Sequence, residues 1–326
     1  MDNNRFLVHT ICMTYNHEPY VEDALKGFVM QQTTFPVVSV IIDDASTDHT
    51  VEVLDRFMKD QFRLDDADAI DKETDYGHVA FARHKSNANC FFAVICLKEN
   101  HYSKAKSKYP YYKEWAKTKY VAICEGDDYW TNPLKLQKQV DFLETHEDYS
   151  MCFHAADIRC EGVDASYTGA RFMDIEEREY FSTELFEKWI VPTASIVYKN
   201  AVVNGRKVSH SEWLTRGDIC LVLNCAHTGK VFGMRDVMSV YRLQPNSVSH
   251  NSKFRDAEVF RLPNHFRCIY YNFPKVDKKP IVWNISHAYY SRMKAEKSLL
   301  NKIRDFILFV FWDPKWAFQK MMSLIK

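Results

Sequence analysis

Residues 37–48 read VVSVIIDDASTD, an apolar run that ends abruptly on acidic and hydroxyl side chains. Two further apolar runs end on polar or acidic side chains: residues 6–16 read FLVHTICMTYN, and residues 120–130 read YVAICEGDDYW. Short apolar runs without alternation are typical of strands that are covered on both faces, as in parallel sheets. In an open parallel sheet, ligands bind beyond the carboxyl ends of the strands. The three runs therefore predict neighbouring strands whose polar tips form one ligand-binding edge.

The segments between these runs predict helices. Val21, Leu25 and Phe28 recur at spacings of three and four, which is one apolar helical face, and residues 51–58 repeat the pattern. Strand, helix and strand in this order make a parallel crossover unit. We therefore expect an α/β protein with a mostly parallel sheet flanked by helices. We expect one domain over residues 1–252, with an insertion at about 65–94, and a helical C-terminal extension over 253–326.

The composition of the chain disfavours several classes of function. The chain has 326 residues, and its 43 Lys and Arg balance its 43 Asp and Glu, so no global field favours nucleic acid. Nine Cys without a C-x-x-C pair indicate free thiols and a cytoplasmic protein. The N-terminus shows no signal-peptide pattern, and no apolar run is long enough to span a bilayer. Only nine Gly are present, which disfavours P-loop and dinucleotide-binding proteins.

The adjacent carboxylates of Asp127 and Asp128 need a positive partner, because they repel each other. A hard divalent ion such as Mg²⁺ or Mn²⁺ takes one or two carboxylates and completes its shell from substrate phosphates. The other interpretation is a turn that caps the helix beginning near Pro133.

The residues at the ends of the first two runs are suited to bind a nucleotide base. Asp44 is suited to accept a hydrogen bond from a base, and Tyr15 is suited to stack beneath it. Both have simpler interpretations, since Tyr15 is also compatible with a half-buried turn and Asp48, beside this motif, with a helix cap.

Taken together and in this order, the three segments resemble those of family 2 glycosyltransferases, over roughly residues 5–250. The resemblance implies a GT-A-like fold, a nucleotide-sugar donor with a UDP-sugar as first choice, a divalent cation (Mn²⁺ or Mg²⁺) and inversion at the anomeric carbon. Two positions depart from the family pattern. Ala45 stands where a Gly is usual, and Glu125 stands where many members have Asp.

The resemblance also implies roles for individual residues. Tyr15 and Asp44 would contact the base, Asp127 the ribose or the metal, and Asp128 the metal that bridges the diphosphate. The catalytic base would be Asp218, in the setting Thr215 to Leu221; a plain helix cap is the alternative there. Arg242 would pair with phosphate, and His250 would be a further metal ligand or phosphate contact. The lysines of residues 104–108 either approach the donor or, as we expect, form a solvated face.

The predicted function is therefore metal-dependent transfer of a sugar to a glycan or lipid-linked acceptor, in surface polysaccharide synthesis. Two rival functions use the same carboxylates. One is a nucleotidyltransferase or related metal enzyme, and the other is an inactive nucleotide-sugar-binding or scaffold protein.

The apolar segment 303–316, flanked by Lys and Arg, has two interpretations. It is either a helix that packs on the catalytic domain or on a partner subunit, or a segment that lies in a membrane interface. The second would place the protein peripherally at the inner face of the membrane.

Overall fold

The computed structural model of the protein describes residues 5–162, 172–204, 207–244 and 256–325. The chain divides into two compact units. The first consists of Met1–Tyr180, Ile190–Asn204 and Gly229–Leu243, and the second of Phe181–Trp189, Gly205–Thr228 and Gln244–Lys326.

The first unit is built on one sheet, to which the described residues contribute eleven strands. The strands are β1 Val8–Thr14, β2 Val37–Asp43, β3 Ile70–Glu73, β4 Gly77–Arg83, β5 Cys90–Leu97, β6 Tyr120–Ile123, β7 Tyr129–Trp130, β8 Tyr149–Cys160, β9 Arg178–Tyr180, β10 Val197–Lys199 and β11 Lys230–Leu243. The helices of the first unit are α1 Val21–Val29, α2 Thr50–Gln61, α3 Tyr109–Tyr112, α4 Lys135–Thr145 and α6 Ala201–Asn204. Those of the second unit are α5 Ser182–Lys188, α7 Gly217–Thr228, α8 Leu262–Asn272, α9 Lys278–Ala295, α10 Leu299–Trp312 and α11 Pro314–Ile325.

The centre of the sheet consists of the parallel strands β5, β2, β1 and β6, in that order. All seven residues of β2 are buried, which is why its sequence is apolar without alternation. In this register Thr14 lies beside Asp43, so the polar ends of β1 and β2 come level with each other. The α/β prediction is confirmed, and the three quoted runs are three of these four central strands.

The outer parts of the sheet are largely antiparallel. On one side β3 and β4 form a hairpin that pairs with β5. On the other side β10 is antiparallel to β6 and β8, whereas β8 and β11 are parallel. The predicted insertion at 65–94 therefore contains this hairpin, but its last residues already belong to the central strand β5. The sheet as a whole is mixed.

The second unit is helical and has its own core. Ile219 and Leu223 of α7 are buried in one cluster with Ile269, Ile285 and Phe309 from the C-terminal helices. The helical character predicted for residues 253–326 is confirmed for the part that the structure describes, residues 256–325. The unit is larger than that segment, because it also includes residues 181–189 and 205–228. The assignment of functional domains remains a prediction.

A lysine is fully buried in the first unit. Lys135, in the first turn of α4, has no exposed surface, and its Nζ donates to Oε1 of Gln139 at 2.8 Å. It also lies 4.2 Å from the centre of the Trp130 ring. Lys135 forms no ion pair with any described residue, and burial lowers its pKa from 10.5 to about 7.

We expect Lys135→Met to remove part of the pH dependence of stability. Between pH 7 and 8.5 the unfolded chain binds a proton at this lysine that the folded chain releases. The free energy of unfolding of the native protein should therefore rise with pH in this window, by on the order of 1 kcal/mol per pH unit. Urea unfolding at several pH values measures this slope.

Lys138→Met is the matched control, because Lys138 lies on the exposed side of the same helix and pairs with Asp236 at 3.1 Å. The control should keep the native slope. An unchanged slope in Lys135→Met would mean that this lysine is charged in the folded protein at neutral pH.

Candidate functional site

Hydrogen bonds that involve side chains join the tips of β1 and β2. Oδ1 of Asn16 accepts from the backbone N–H of Thr47 at 2.7 Å, and the N–H of Asn16 donates to Oγ of Ser46 at 2.9 Å. Asn16 and Ala45 both have left-handed backbone conformations, with φ of 55° and 61°. Glycine adopts this conformation without steric cost, which explains why a Gly is usual at the position of Ala45 in the family pattern. The cross-links hold both tips in a fixed arrangement.

The two carboxylates at the end of β2 have different partners. Asp43 accepts from the backbone N–H of Ser46 at 2.9 Å and from its hydroxyl, so it stabilises the tip itself. Asp44 is 3% exposed and accepts from the N–H groups of His101 and Tyr102 at 2.8 and 2.9 Å. Asp44 therefore joins the tip of β2 to the segment that follows β5.

Lys108 completes the environment of Asp44. Its Nζ lies 3.1 Å from Oδ2 of Asp44, and its side chain is 14% exposed. The expectation that the lysines of residues 104–108 form a solvated face is therefore wrong for Lys108. The pair joins residues 64 positions apart, so no local sequence pattern indicates it.

Asp128 lies at the tip of β6 and is almost completely buried. Its Oδ1 accepts from the backbone N–H of Arg242 at 2.8 Å, whereas its Oδ2 is buried and has no hydrogen-bond partner in the described structure. Burial, together with the negative charges of Asp127 and Glu125, raises the pKa of Asp128 well above its ordinary value. A buried carboxylate oxygen without a donor is costly unless a ligand supplies one.

Two further polar atoms without partners lie beside the same turn. The described structure gives no hydrogen bond to Oγ1 of Thr14 or to Nδ1 of His17, although both are buried. A Cβ added to Gly126 would lie 2.8 Å from Oγ1 of Thr14 and 3.0 Å from Nδ1 of His17. Only glycine fits here without a shift of these groups. His17, which the sequence did not single out, also places its Nε2 3.9 Å from Oδ2 of Asp127.

Arg242 lies behind the β6 tip. Its side chain is 2% exposed, and it donates to Asp23 at 2.8 Å, to Glu161 at 3.3 Å and to the carbonyl of Asp127 at 2.7 Å. Its guanidinium also lies between the rings of Tyr20 and Tyr129, at 4.8 and 4.9 Å.

These contacts give Arg242 a structural role, because they hold in place its backbone N–H, which donates to Asp128. The predicted contact with phosphate stays a prediction, and it would require the guanidinium to leave some of these partners.

The remaining predicted residues have separate surroundings. Tyr15, at the β1 tip, is 43% exposed. Asp218 belongs to the second unit, in the first turn of α7, where its Oδ1 accepts from the N–H of Ile219 at 2.8 Å. Burial raises the pKa of Asp218, an effect that the hydrogen bond from Ile219 and the charge of Arg216 partly oppose. His250 lies outside the described residues.

The first unit thus brings Asp127, Asp128 and Arg242 into direct contact, with Tyr15 and Asp44 on the neighbouring strand tips. A divalent ion is compatible with the chemistry of this donor set, because Oδ2 of Asp128 has no protein donor in the described structure and a carboxylate oxygen is a ligand that Mg²⁺ and Mn²⁺ accept. Within the described residues, no group of three His, Cys, Asp or Glu side chains could hold a metal. The protein would therefore supply few ligands, and substrate oxygens would supply the others.

Comparison with known proteins agrees with this geometry. Residues 10–85, which contain the tips of both β1 and β2, match the family described as Glycosyl transferase family 2. This stretch of the chain is therefore similar to a family 2 glycosyltransferase domain. An uncharacterized protein of Mycobacterium tuberculosis is 30% identical to it over 254 residues, which are 77% of this chain and 62% of that protein. The chain thus spans less than two thirds of the length of this relative.

Two other proteins resemble this chain over most of its length. The putative teichuronic acid biosynthesis glycosyltransferase TuaG of Bacillus subtilis is 27% identical over 266 residues, which are 77% of this chain and 84% of TuaG. The crystal structure of S. aureus TarS with UDP-GlcNAc superimposes with a TM-score of 0.59, at 14% identity, over 95% of this chain and 82% of the TarS chain. The likeness to TarS confirms the GT-A-like fold.

We expect Gly126→Ala to disturb the site while the fold is kept. The added methyl group would overlap Thr14 and His17, and overpacking of this kind costs about 1–3 kcal/mol. The measurements are the thermal midpoint and the binding of UDP with Mn²⁺, both of which should decrease.

Gly217→Ala is the control, because a Cβ at Gly217 meets nothing within 4 Å. It should leave the thermal midpoint and UDP binding unchanged. If Gly126→Ala binds UDP as the native chain does, the region around Gly126 takes no part in the donor site.

Proposed function

We propose that the protein is a glycosyltransferase that moves a sugar from a nucleoside diphosphate-sugar to a glycan or lipid-linked acceptor. The observation that carries this proposal is the carboxylate pair of Asp127 and Asp128 at the β6 tip, in which Asp128 is buried and one of its carboxylate oxygens has no partner in the described structure. A UDP-sugar is the proposed donor, and the TarS complex with UDP-GlcNAc supports that choice.

In this proposal the tips of β1 and β2 bind the nucleoside. The exposed ring of Tyr15 stacks on the base, which is worth about 1–3 kcal/mol in comparable sites. Asp44 accepts from the base while Lys108 and the backbone of residues 101–102 hold its carboxylate in place. Asp127 contacts the ribose.

Asp128 is the proposed protein ligand of Mn²⁺ or Mg²⁺, with His250 as a further ligand. When bound, such an ion neutralises the negative charge that develops on the leaving diphosphate. Arg242 contributes through its backbone N–H, which orients the carboxylate of Asp128 by binding its other oxygen. The proposed phosphate contact of Arg242 would add to this role.

Asp218 is the proposed catalytic base of an inverting transfer. It takes the proton of the acceptor hydroxyl while that oxygen forms a bond to the anomeric carbon. The bond from the anomeric carbon to the diphosphate breaks on the opposite face, and the nucleoside diphosphate leaves with the electron pair. The burial that raises the pKa of Asp218 favours its acceptance of a proton.

Surface polysaccharide synthesis is the proposed setting, which the likeness to TuaG supports. We propose a catalytic domain over residues 1–252 with a helical extension over 253–326. The nine cysteines are all free thiols, which supports a cytoplasmic location. Residues 303–316 are the candidate contact with the inner face of the membrane.

We expect Asp128→Asn to abolish the Mn²⁺-dependent part of UDP binding, measured by calorimetry with and without the ion. The amide keeps the shape of the carboxylate but removes the negative charge that a cation requires. In the native protein, the same affinity should weaken as the pH falls, because protonation of a carboxyl with a raised pKa removes the ligand.

Asp141→Asn is a suitable control, because Asp141 lies on α4 with an exposed side chain that accepts from Gln137. It should bind UDP and Mn²⁺ normally. Native Mn²⁺ dependence in Asp128→Asn would remove Asp128 from the metal site.

We expect Asp218→Asn to lower kcat by about a hundredfold or more, since positioned acid–base groups contribute on this scale, while UDP binding is retained. Turnover is followed as release of UDP from UDP-sugars across an acceptor panel. Asp277→Asn is the matched control, because Asp277 caps α9 through the N–H of Lys279 at 3.0 Å and asparagine caps equally well.

The products also separate the rival functions. Release of pyrophosphate instead of nucleoside diphosphate would indicate a nucleotidyltransferase. Donor binding without turnover on any acceptor would indicate a binding or scaffold protein. A native rate in Asp218→Asn would exclude this residue as the base.

A further inference from the structure

Helix α10 of the second unit is apolar on its exposed face. Leu299, Leu300, Ile303, Ile307 and Phe311 are 71%, 80%, 50%, 60% and 71% exposed. Spacings of three and four residues place them on one side of the helix. A large exposed patch of this kind marks a contact surface in most soluble proteins.

The opposite face of α10 is fixed by specific contacts. Asp305 is completely buried and forms ion pairs with Arg292 at 2.7 Å and Arg304 at 3.1 Å. Phe309 is buried in the core of the unit, and its carbonyl accepts from Oγ of Ser286 at 3.0 Å. The helix therefore cannot turn its apolar side inward without breaking these contacts.

Helix α11 adds to the exposed apolar surface. Phe318 and Met322, one turn apart, are 62% and 44% exposed, while Ala317 is buried. Neither helix can cross a bilayer. Among the described residues no helix is long and apolar enough to do so, and the 14 residues of α10 span only about 21 Å.

The charges around the patch are mostly positive. Residues 294–326 contain seven Lys and Arg but three Asp and Glu, in a chain whose total charges balance. Lys302 and Arg304 flank Ile303, so each lies about 100° around the helix from it, at the borders of the apolar face. Lys297, Lys302 and Lys315 form no ion pair with any described residue, which leaves them available to anionic groups.

We propose that α10 and α11 form an interfacial surface that lies in the plane of an anionic bilayer. The apolar side chains enter the boundary between headgroups and acyl chains, and the lysines contact lipid phosphates. Protein–protein interfaces usually include hydrogen bonds that fix the orientation of the partner. The five exposed apolar side chains of α10 offer no polar atom for such bonds. The inference stands apart from sugar transfer, and its test needs no substrate.

The test is flotation of the full chain with vesicles of phosphatidylcholine, with and without phosphatidylglycerol. We expect binding to the anionic vesicles and weak binding to the neutral ones, with binding that decreases as salt rises. The triple variant Ile303→Ser, Ile307→Ser, Phe311→Ser should bind at least tenfold more weakly. The variant Lys297→Glu, Lys302→Glu, Lys315→Glu should lose the preference for anionic vesicles.

The matched control is Met173→Ser, Val203→Ser, Val237→Ser, which removes three exposed apolar side chains from the first unit. It should float as the native chain does. Circular dichroism and thermal midpoints establish that each variant is folded, which is expected because every changed side chain is exposed.

Three results would overturn the proposal. The first is that the native chain does not bind anionic vesicles, and the second is that the serine triple variant floats as well as the native chain. The third is that the native chain sediments as a dimer and the serine variant as a monomer, which would assign the patch to a second copy of the protein.

Discussion

The burial of a carboxylate at the tip of β6 is the constraint on which the proposed site depends. Removing Asp128 from water is costly, and the negative neighbours Asp127 and Glu125 add to that cost. One oxygen is compensated by the backbone of Arg242, whose side chain is held in turn by Asp23 and Glu161. The other oxygen has no compensation within the described protein. This uncompensated oxygen lowers the stability of the unliganded protein, and a cation bound to it would offset that cost, as the proposed donor site requires.

The same logic applies to the neighbouring strand tips, where polar groups are arranged in advance of any ligand. Asn16 and Ala45 hold left-handed conformations that are uncommon for residues other than glycine. Hydrogen bonds between the tips, and the contacts of Asp44 with residues 101–108, stabilise these conformations. The carboxylate of Asp44 is therefore held in place without a ligand, so little ordering entropy would be lost there in the nucleotide binding that we propose.

The sequence predicted most of what local patterns encode. Buried parallel strands require apolar runs, so the sequence predicts β1, β2 and β6 together with the polar tip of β1 and the acidic tips of β2 and β6. Contacts between residues that are distant in the chain could not be predicted, because no spacing rule relates Lys108 to Asp44 or His17 to Asp127. Arg242 illustrates the same limit. A conspicuous arginine suggests phosphate, but its carboxylate and aromatic partners lie far from it in the chain.

The C-terminal helices show why composition alone left two interpretations open. An apolar segment with flanking lysines is compatible with a core helix and with an interfacial one, since both require an amphipathic pattern. The position of Asp305 distinguishes them, because a buried ion pair with Arg292 determines which side of α10 faces the unit. The face so directed outward is apolar, opposite to the pattern of an ordinary surface helix. The apolar face of α10 therefore stays in water unless a membrane or another apolar surface covers it. The lysines at its borders match the charge of an anionic membrane.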